Sequence, residues 1–366
     1  MKRSGFVLMV VMMTLAISTT VVTQIFYQGH LYNMFIPIMI EKEKARKIAL
    51  AGVSVAIAQL SLHDTKLVKP VDKDDKKSDK EDPKKEKDTY AKNLLKTLLI
   101  VQNRWQSFIL THEADGLDAQ LDVCITCEDG KLNINQMYDF KKHEFTSVPF
   151  ASPKDFFEFI GTATKPFTKN KNMFEGLAEF LKKREDPLID VTQLLQGKGL
   201  DEFKDFVFYV PAEASAIDSK DKKESSDKKP SLYLADLFTV DTKTYRLNPW
   251  ALSHSVQLLL KIKPRIMSSE ESYKKEIEEV IEKIPSLDAI SVSRDWDTYM
   301  KPFYNIDFQS LPKEVVPFLS TKFEPRLFSV LCYGKVGRIT QKLLVLLERA
   351  STDAGESISV KKMYWL

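Results

Sequence analysis

The first 27 residues constrain this chain more than any other part of it. Lys2 and Arg3 are followed by an uncharged run of 22 residues, from Phe6 to Tyr27. At about 1.5 Å per residue, a helix of that length extends over roughly 33 Å, which is enough to cross the hydrocarbon core of a bilayer. Its threonines are compatible with lipid because their hydroxyls can bond to the helix's own carbonyls. The sequence therefore predicts a transmembrane helix.

The charges on either side of this run predict its orientation. Basic residues tend to stay in the cytoplasm, so Lys2 and Arg3 place the N-terminus there and the rest of the chain on the far side of the membrane. The basic residues between 42 and 47 oppose this orientation. Glu41 and Glu43 are interleaved with them, however, and the site lies some distance from the membrane.

A cleavable signal peptide is the alternative explanation of the same run. Ala16-Ile17-Ser18 has the small-x-small pattern of a signal-peptidase site. Cleavage there would release a chain that begins near Thr19, whereas a retained helix anchors the chain. N-terminal sequencing of the mature protein distinguishes the two.

A helical pattern continues from Glu41 to Leu62. Within it, Ala45, Gly52 and Ala56 form a stripe of small residues at helical spacing. A glycine inside a helix costs up to ~1 kcal/mol relative to alanine, so Gly52 indicates close packing against another element. We expect this helix to pack on its own sheet, and Pro37 to kink or break its connection to the membrane part.

Two highly charged segments interrupt the chain. Asp72–Asp88 contains no apolar residue, and Asp218–Pro230 is similar in composition. Nothing there offsets the entropy of ordering, so we predict disordered loops over residues 63–89 and 212–230. Contacts with lipid headgroups or acidic partners are the alternative, but the mixture of signs favours solvated loops. The formal net charge is only +3, which gives no reason to expect nucleic acid as a partner.

Hydrophobic periodicity predicts an α+β fold in the remainder. Helices are predicted over Tyr90–Thr111, over most of 152–205 and over Ser253–Ile284. Strands are predicted over Asp118–Thr126, Phe206–Val210 and Leu232–Asp241, with a turn at Glu128–Gly130. A hairpin is predicted from Leu327–Tyr333 and Lys335–Arg349, turning at Gly334.

These patterns divide the chain into segments with different expected roles. They are a short basic start (1–5), a transmembrane helix with its helical continuation (6–62), a charged loop (63–89), an α/β part (90–150), a helical insertion domain that contains the loop 212–230 (151–320), and a closing β hairpin with a C-terminal tail (321–366).

No catalytic motif is present. The chain has no Gly-rich phosphate loop, GxSxG, HExxH or EF-hand spacing, and its five histidines are scattered. We therefore predict that the protein is not an enzyme, and we assign no catalytic residue.

The three cysteines form no metal or redox motif. Cys124 and Cys127 make a formal CxxC, but residues three apart in a strand face opposite sides, and only Cys332 remains to complete a zinc site. A redox CxxC opens a helix, whereas this one precedes a turn. We expect ordinary strand cysteines, and at most one disulfide.

Several acidic residues lie in irregular segments and have the oxygen ligands that a hard cation prefers. They are Asp115, Asp118, Glu128 and Asp129. Their spacing matches no known site, so surface turns are the favoured interpretation and no metal ligand is assigned.

Four stretches resemble one known family. Arg3–Val11 is similar to its cleavage site and membrane start, and Ala45–Leu60 to its small-residue helix. Glu128–Asn135, EDGKLNIN, resembles the segment that leads into its helical insertion, and Leu327–Arg349 resembles its closing hairpin. Weaker similarities lie at Asp190–Leu200 and Arg246–Ala251. The family is that of general secretion pathway protein K, a minor pseudopilin of type II secretion systems.

The resemblance implies a long N-terminal helix packed on an antiparallel sheet, with a large helical insertion. It also implies that prepilin peptidase cuts after Gly5 and methylates the new amino group of Phe6. Ordinary pilins have a glutamate fifth after the cut, whereas Val10 stands there in this chain. The family's K subunit also lacks that glutamate, which fits a tip position with no subunit above it.

The implied function is initiation of a periplasmic pseudopilus and export across the outer membrane. The expected location is the inner membrane, single-pass, with a cytoplasmic N-terminus and a periplasmic C-terminal domain. The implied partners are other minor pseudopilins, the major pseudopilin, the inner-membrane assembly platform and prepilin peptidase. The family binds calcium, but its ligands cannot be matched here, so no cofactor is assigned.

The chain also departs from the family pattern. Both lysine-rich loops and the lengthened membrane-proximal part, Gln24–Ile40, are atypical, and Asn248-Pro249-Trp250 departs from the family's "N-T-A". A minor pilin of a type IV pilus and an anchored or secreted hydrolase remain alternatives. Convergent carboxylates in a pocket would favour the hydrolase.

Overall fold

The computed structural model describes residues 3–61, 83–148, 151–167, 172–210, 232–262, 270–352 and 355–366. Within these ranges the fold is α+β: one long helix packs on an antiparallel sheet, and a block of shorter helices is inserted between two strands of that sheet.

Helix α1 runs without interruption from Arg3 to Ser61, a length of 59 residues, or roughly 88 Å. Pro37 lies inside it, so the expected break is absent. Proline removes only one backbone donor, and the strongly helical segments on both sides carry the helix through that position.

The central sheet has five strands in the order β1-β2-β7-β8-β9, each antiparallel to its neighbour. The strands are β1 (Trp105–Leu110), β2 (Ala119–Cys127), β7 (Leu327–Val336), β8 (Ile339–Thr352) and β9 (Gly355–Trp365). Strands β2 and β7 are neighbours although about 200 residues separate them. The helical block is therefore an insertion between two adjacent strands.

The insertion contains most of the remaining elements. Two small sheets pair β3 (Leu132–Asn133) with β6 (Phe238–Thr239), and β4 (Tyr138–Asp139) with β5 (Glu144–Phe145).

The helices after α1 are α2 (Pro83–Val101), α3 (His112–Asp115), α4 (Ile134–Met137), α5 (Pro153–Ala163), α6 (Met173–Lys182), α7 (Leu234–Leu237), α8 (His254–Leu259), α9 (Glu270–Glu282), α10 (Val292–Asp295) and α11 (Lys301–Tyr304).

The two faces of the sheet are covered by different layers. Leu121 and Cys332 face α1, since a side chain added at Gly52 would meet both of them. Strand residues alternate between faces, so Tyr333 points the other way, and its hydroxyl donates to the Tyr209 carbonyl of the insertion at 3.1 Å. The order of layers is therefore α1, sheet, insertion.

The structure confirms the predicted strand at Asp118–Thr126 and the predicted hairpin after Leu327. The hairpin turns at Gly337 and Arg338, however, and not at Gly334. Gly337 has a φ of +55°, which suits a tight turn, whereas Gly334 lies within β7 and pairs with Gln341.

Other predicted elements were wrong. The helix predicted to Thr111 ends at Val101, and the apolar residues that follow form the edge strand β1, because pairing with β2 overrides the helical pattern. Phe206–Val210 forms no strand, and Leu232–Asp241 contains the four-residue helix α7 and the two-residue strand β6. The C-terminal tail forms the full strand β9.

The segment predicted as one helix from Ser253 to Ile284 is divided into α8 and α9, and residues 263–269 between them lie outside the described residues. Most of the two predicted charged loops also lies outside them. Residues 83–89 are described, and they begin helix α2 instead of continuing the first loop.

Gly334→Ala tests the contact between α1 and β7. A Cβ at this position would lie 2.2 Å from the Ala45 carbonyl oxygen and 2.6 Å from the Ala49 nitrogen, both in the α1 backbone. Because backbone cannot move aside cheaply, we expect a loss of roughly 1–3 kcal/mol in the free energy of unfolding. Urea unfolding of the full chain in detergent, followed by tryptophan fluorescence, measures it.

Gly29→Ala is the matched control, because a Cβ there meets nothing within 4 Å. Equal stability of the two variants would contradict close packing at Gly334.

Candidate assembly surface

The first two thirds of α1 is exposed. Apart from the partly buried Leu31, the fractional exposure of its large apolar residues between Leu8 and Ile40 runs from 45% at Val10 to 75% at Phe26. Among the described residues, α1 is long and apolar enough to cross a membrane. Its threonine hydroxyls bond back to carbonyls four residues earlier, as from Thr20 to Ala16 at 2.8 Å. The exposed part therefore offers lipid or neighbouring helices an apolar surface whose hydroxyls are satisfied.

The residues assigned to processing lie at the start of this helix. Gly5 and Phe6 have helical backbone, and their side-chain surroundings lie outside the described part of the structure. Val10 lies one turn further along and is 45% exposed. It places an apolar side chain where a pilin glutamate would stand.

The last third of α1 is held on the sheet by small residues. Ala45, Ala49 and Ala56 are fully buried, and Gly52 is buried among them. A Cβ at Gly52 would lie 2.8 Å from the Sγ of Cys332, so the close approach requires glycine. The three stripe residues named from the sequence therefore lie together on the buried face, with Ala49 as a further member.

The Glu128–Asn135 segment joins the sheet to the insertion through a buried lysine. Lys131 and Glu128 form an ion pair of 2.5 Å, and their side chains are 3% and 5% exposed. The ammonium also donates to the Ala235 carbonyl at 2.9 Å and to the Ser329 Oγ on β7 at 2.8 Å. Since all three ammonium protons have partners, this one side chain links three separate parts of the fold.

Backbone contacts at the neighbouring glycine reinforce this junction. A Cβ on Gly130 would lie 1.6 Å from the Ala251 carbonyl oxygen, so only glycine fits. The Asn248 amide donates to the Asp129 carbonyl at 2.8 Å, and the Ser253 amide donates to the Gly130 carbonyl at 3.2 Å. The Asn248–Ser253 turn is thereby fixed against the segment.

Two asparagines complete the junction. The Asn133 amide group donates to the Thr242 carbonyl at 2.7 Å, and that of Asn135 donates to the Leu188 carbonyl at 2.8 Å. The Leu188 amide returns a bond to Asn135. The polar residues of EDGKLNIN are thus used to orient the insertion and not for chemistry.

All three cysteines are buried and free. Burial raises the pKa of the Cys124 and Cys127 thiols, and it raises the pKa of Cys332 to about 12. Thiols of this kind are neutral and unreactive near pH 7. They are strand cysteines, as their spacing predicts.

The acidic residues considered as cation ligands are not brought together. Asp115 and Asp118 accept bonds from the Thr111 and His112 amides beside α3, while Glu128 is buried with Lys131. The expectation of a surface turn is therefore wrong for Glu128. No group of three His, Cys, Asp or Glu side chains is placed to hold a metal within the described ranges.

A cleft of about 400 Å³ lies where the start of β7 meets the insertion, and no pattern in the sequence predicts it. Its lining includes Asp129, Asp241, Glu324 and Glu348, together with Lys243, Arg246, Lys322, Arg326 and Lys361. Asp241 is paired with Lys361 and Lys362, and Glu324 with Lys322 and Arg326. These two carboxylates are neutralised by cations and are not poised for acid–base work.

Asp129 is the unusual carboxyl of this cleft. Burial raises its pKa to about 6, and the nearby Glu128 contributes in the same direction. No motif marks this group in the sequence, because its environment depends on Arg326, almost 200 residues away. Only the adjacent Gly130-Lys131 pair indicates that the segment is buried.

Comparisons with known proteins give a structural similarity but no match in sequence. No protein-family model matches the chain, and no curated protein matches it in sequence. A solved structure, the GspK–GspI–GspJ complex of the type 2 secretion system from enterotoxigenic Escherichia coli, contains a similar chain. The match covers 90% of this chain and 98% of that chain, with 14% identity and a TM-score of 0.42. The α+β fold assigned above rests on the chain's own helix and sheet order.

Lys131→Met tests the buried ion pair. It leaves the Glu128 carboxylate buried without its cation, so we expect a loss of about 3–5 kcal/mol in the free energy of unfolding. Adding Glu128→Leu should recover at least half of that loss, because the charge is then gone. Urea unfolding measures both variants.

Lys142→Met is the control, since it breaks an exposed pair of the same spacing, with Asp139. It should cost less than about 1 kcal/mol. An equally small loss for Lys131→Met would show that the buried pair does not hold the junction.

Asp129→Asn tests the buried carboxyl through pH. The folded chain binds this proton more tightly than the unfolded chain, whose aspartates have a pKa near 3.9. The stability that protonated Asp129 contributes is therefore present at low pH and is lost as pH rises from about 4 through about 6. We expect the variant to be more stable than the parent by on the order of 2 kcal/mol at pH 7.5 and equal to it at pH 4.

Urea midpoints at the two pH values provide the measurement. Glu348→Gln removes another carboxylate of the same cleft and controls for a general change in charge. A variant whose advantage does not change with pH would contradict the raised pKa of Asp129.

Proposed function

We propose that the chain is a minor pseudopilin of a type II secretion system, which helps to initiate a short periplasmic pseudopilus from its tip. The observation that carries the proposal is the division of α1. Its first part exposes an uncharged, mainly apolar surface, and its last part is buried on an antiparallel sheet by Ala45, Gly52 and Ala56. One rigid helix thus supplies both an anchor and a stem for a periplasmic domain.

The residue at position 10 supports the tip position. After a cut at Gly5, Val10 is fifth in the mature chain, where filament subunits have a glutamate that pairs with a neighbour's amino group. An unpaired carboxylate at that depth in the membrane costs on the order of 2.5–3.5 kcal/mol. A subunit with no neighbour above it gains nothing from the glutamate, so valine suits the tip.

The proposed location and organisation follow from the same helix. The chain spans the inner membrane once, with residues 1–5 as a cytoplasmic leader and the domain in the periplasm. Residues 90–150 and 321–366 form the pilin-like part, and residues 151–320 form the insertion. Its partners are other minor pseudopilins, the major pseudopilin, the assembly platform and prepilin peptidase.

The proposal assigns no enzymatic activity and no cofactor. A hydrolase would use free, convergent carboxylates, and two of the four that line the cleft, Asp241 and Glu324, are each held by two cations. A minor pilin of a type IV pilus would have the same anchor. Coexpression with candidate subunits of each system, followed by co-purification, distinguishes the two assemblies.

Gly5→Leu tests the proposed processing. The substitution keeps the helix apolar but places a bulky side chain at the cut, so the leader should be retained. In cells with prepilin peptidase, mass spectrometry of the membrane fraction should find the parent chain beginning at methylated Phe6 and the variant uncut.

Ser18→Leu is the control, because it alters only the alternative signal-peptidase site. It should be processed like the parent. A parent chain that begins near Thr19, or a Gly5→Leu chain cut as efficiently as the parent, would refute the pseudopilin assignment.

A further inference from the structure

One end of the domain is defined by the point where α1 leaves the sheet. The Glu41 carboxylate lies beside Gly337 in the β7–β8 turn, since a Cβ there would be 3.1 Å from it. Strand pairing brings the start of β2 to the same level, since Val336 pairs with Ala119, whereas Trp365 pairs with Leu343, four residues along β8 from the turn. We call this end, from Glu41 to Lys47 with the β7–β8 turn and the end of β9, the rim. The rim is the part of the domain that faces the membrane.

The rim exposes apolar side chains beside α1. Trp365, the last residue of β9, is 37% exposed, and Leu366 after it is 44% exposed. The Arg46 guanidinium lies 4.8 Å from the centre of the Trp365 ring. An exposed tryptophan next to arginine is the combination that membrane interfaces favour, because the ring enters the headgroup layer and the cation meets phosphate.

Positive charge surrounds this apolar patch. Two acidic residues, Glu41 and Glu43, belong to the rim. Its exposed cations are Lys42, Lys44, Arg46, Lys47 and Arg338. The acids of the neighbouring α3 region lie beside β1, across the sheet from β9, and two of them already accept backbone bonds. The side of the rim that carries α1 and β9 is therefore cationic and complements an anionic surface.

The length of α1 favours a domain seated on the lipid. No Asp, Glu, Lys or Arg occurs between Ser4 and Ile40. From Phe6 to Ile40 the helix measures about 52 Å, whereas a bilayer with its headgroups is about 40–45 Å thick. A tilt of about 35°, within the range that membrane helices adopt, places the whole stretch inside that thickness. An upright helix would leave apolar residues such as Phe35 and Met39 in water, at 56% and 68% exposure.

We propose that, before assembly, the rim rests on anionic phospholipid headgroups of the periplasmic leaflet, with residues 34–40 immersed in the interface. The inference rests on the proposed function, because it requires α1 to be anchored. It adds a lipid surface as a binding partner of the folded domain. Assembly into a filament then has to lift the domain off this surface.

Thiol accessibility tests the position of α1. The native cysteines are buried, so a single new cysteine in the full chain provides the reactive thiol. The full chain is reconstituted in vesicles of phosphatidylglycerol and phosphatidylethanolamine and treated with a membrane-impermeant maleimide. Met39→Cys should react at least about tenfold more slowly than Leu50→Cys, which lies on the exposed side of the domain helix, because a thiol in lipid does not ionise.

Val10→Cys distinguishes failure of the lipid-seated domain from failure of the membrane anchor. If it is protected while Met39→Cys reacts as fast as Leu50→Cys, the anchor stands and the lipid-seated domain is refuted. If Val10→Cys also reacts rapidly, the anchor itself is refuted, and with it the proposed function.

Tryptophan quenching tests the charge requirement. Trp365 is the exposed one of the four tryptophans, and it should be quenched by brominated lipids, with Trp365→Phe removing the signal. A nearby cation contributes about a fivefold factor to binding an anionic surface, so Lys42→Glu with Arg338→Glu should lower the docking equilibrium by about 25-fold or more. Vesicles of neutral phosphatidylcholine should give a similar loss.

Lys322→Glu with Arg326→Glu is the matched control, because it reverses two exposed cations at the opposite end of β7. It should keep the parent's quenching. Tryptophan quenching that changes neither with lipid charge nor with the rim charges would refute the proposal. Protection of the Met39→Cys thiol that appears only when a second copy of the chain or a partner subunit is added would also refute it.

Discussion

The close approach of α1 to the centre of the sheet is the constraint on which the rest of the structure depends. Gly334 on β7 lets the helix backbone come within contact distance, and Gly52 on the helix does the same for the Cys332 side chain. The two layers meet along the last third of α1, from Ala45 to Leu60. The stretch from Leu8 to Ile40 extends beyond the domain in the same uninterrupted helix.

A second constraint holds the insertion in place on the other face. The ammonium of Lys131 connects the turn after β2, the start of β7 and helix α7, while the Ala251 carbonyl oxygen lies over Gly130. Desolvating such a pair is costly, and a well-packed apolar contact would stabilise the fold as well. The ion pair adds a single orientation for the insertion, which is joined to the sheet by only one chain segment at each end.

The sequence predicted those parts of the fold that depend on local pattern. The uncharged run, the small-residue stripe, strand β2 and the hairpin after Leu327 each follow from spacing alone. Strands β1 and β9 do not follow from spacing. Each is a strand because it pairs with a neighbouring strand, β2 or β8. The cleft and the unusual carboxyl of Asp129 were also inaccessible, because they are formed by residues almost 200 positions apart. The break expected at Pro37 is absent for the opposite reason, because the long helical segments on both sides outweigh the local effect of proline.

The pairing of β2 with β7 has a consequence for how the protein is made. About 200 residues lie between these neighbouring strands, and synthesis at 5–20 residues per second takes roughly 10–40 s to cover them. Throughout that interval the surfaces of β2 and α1 that β7 covers in the folded chain stay open, since that strand is not yet made. The central sheet can therefore close only after most of the chain has been synthesised.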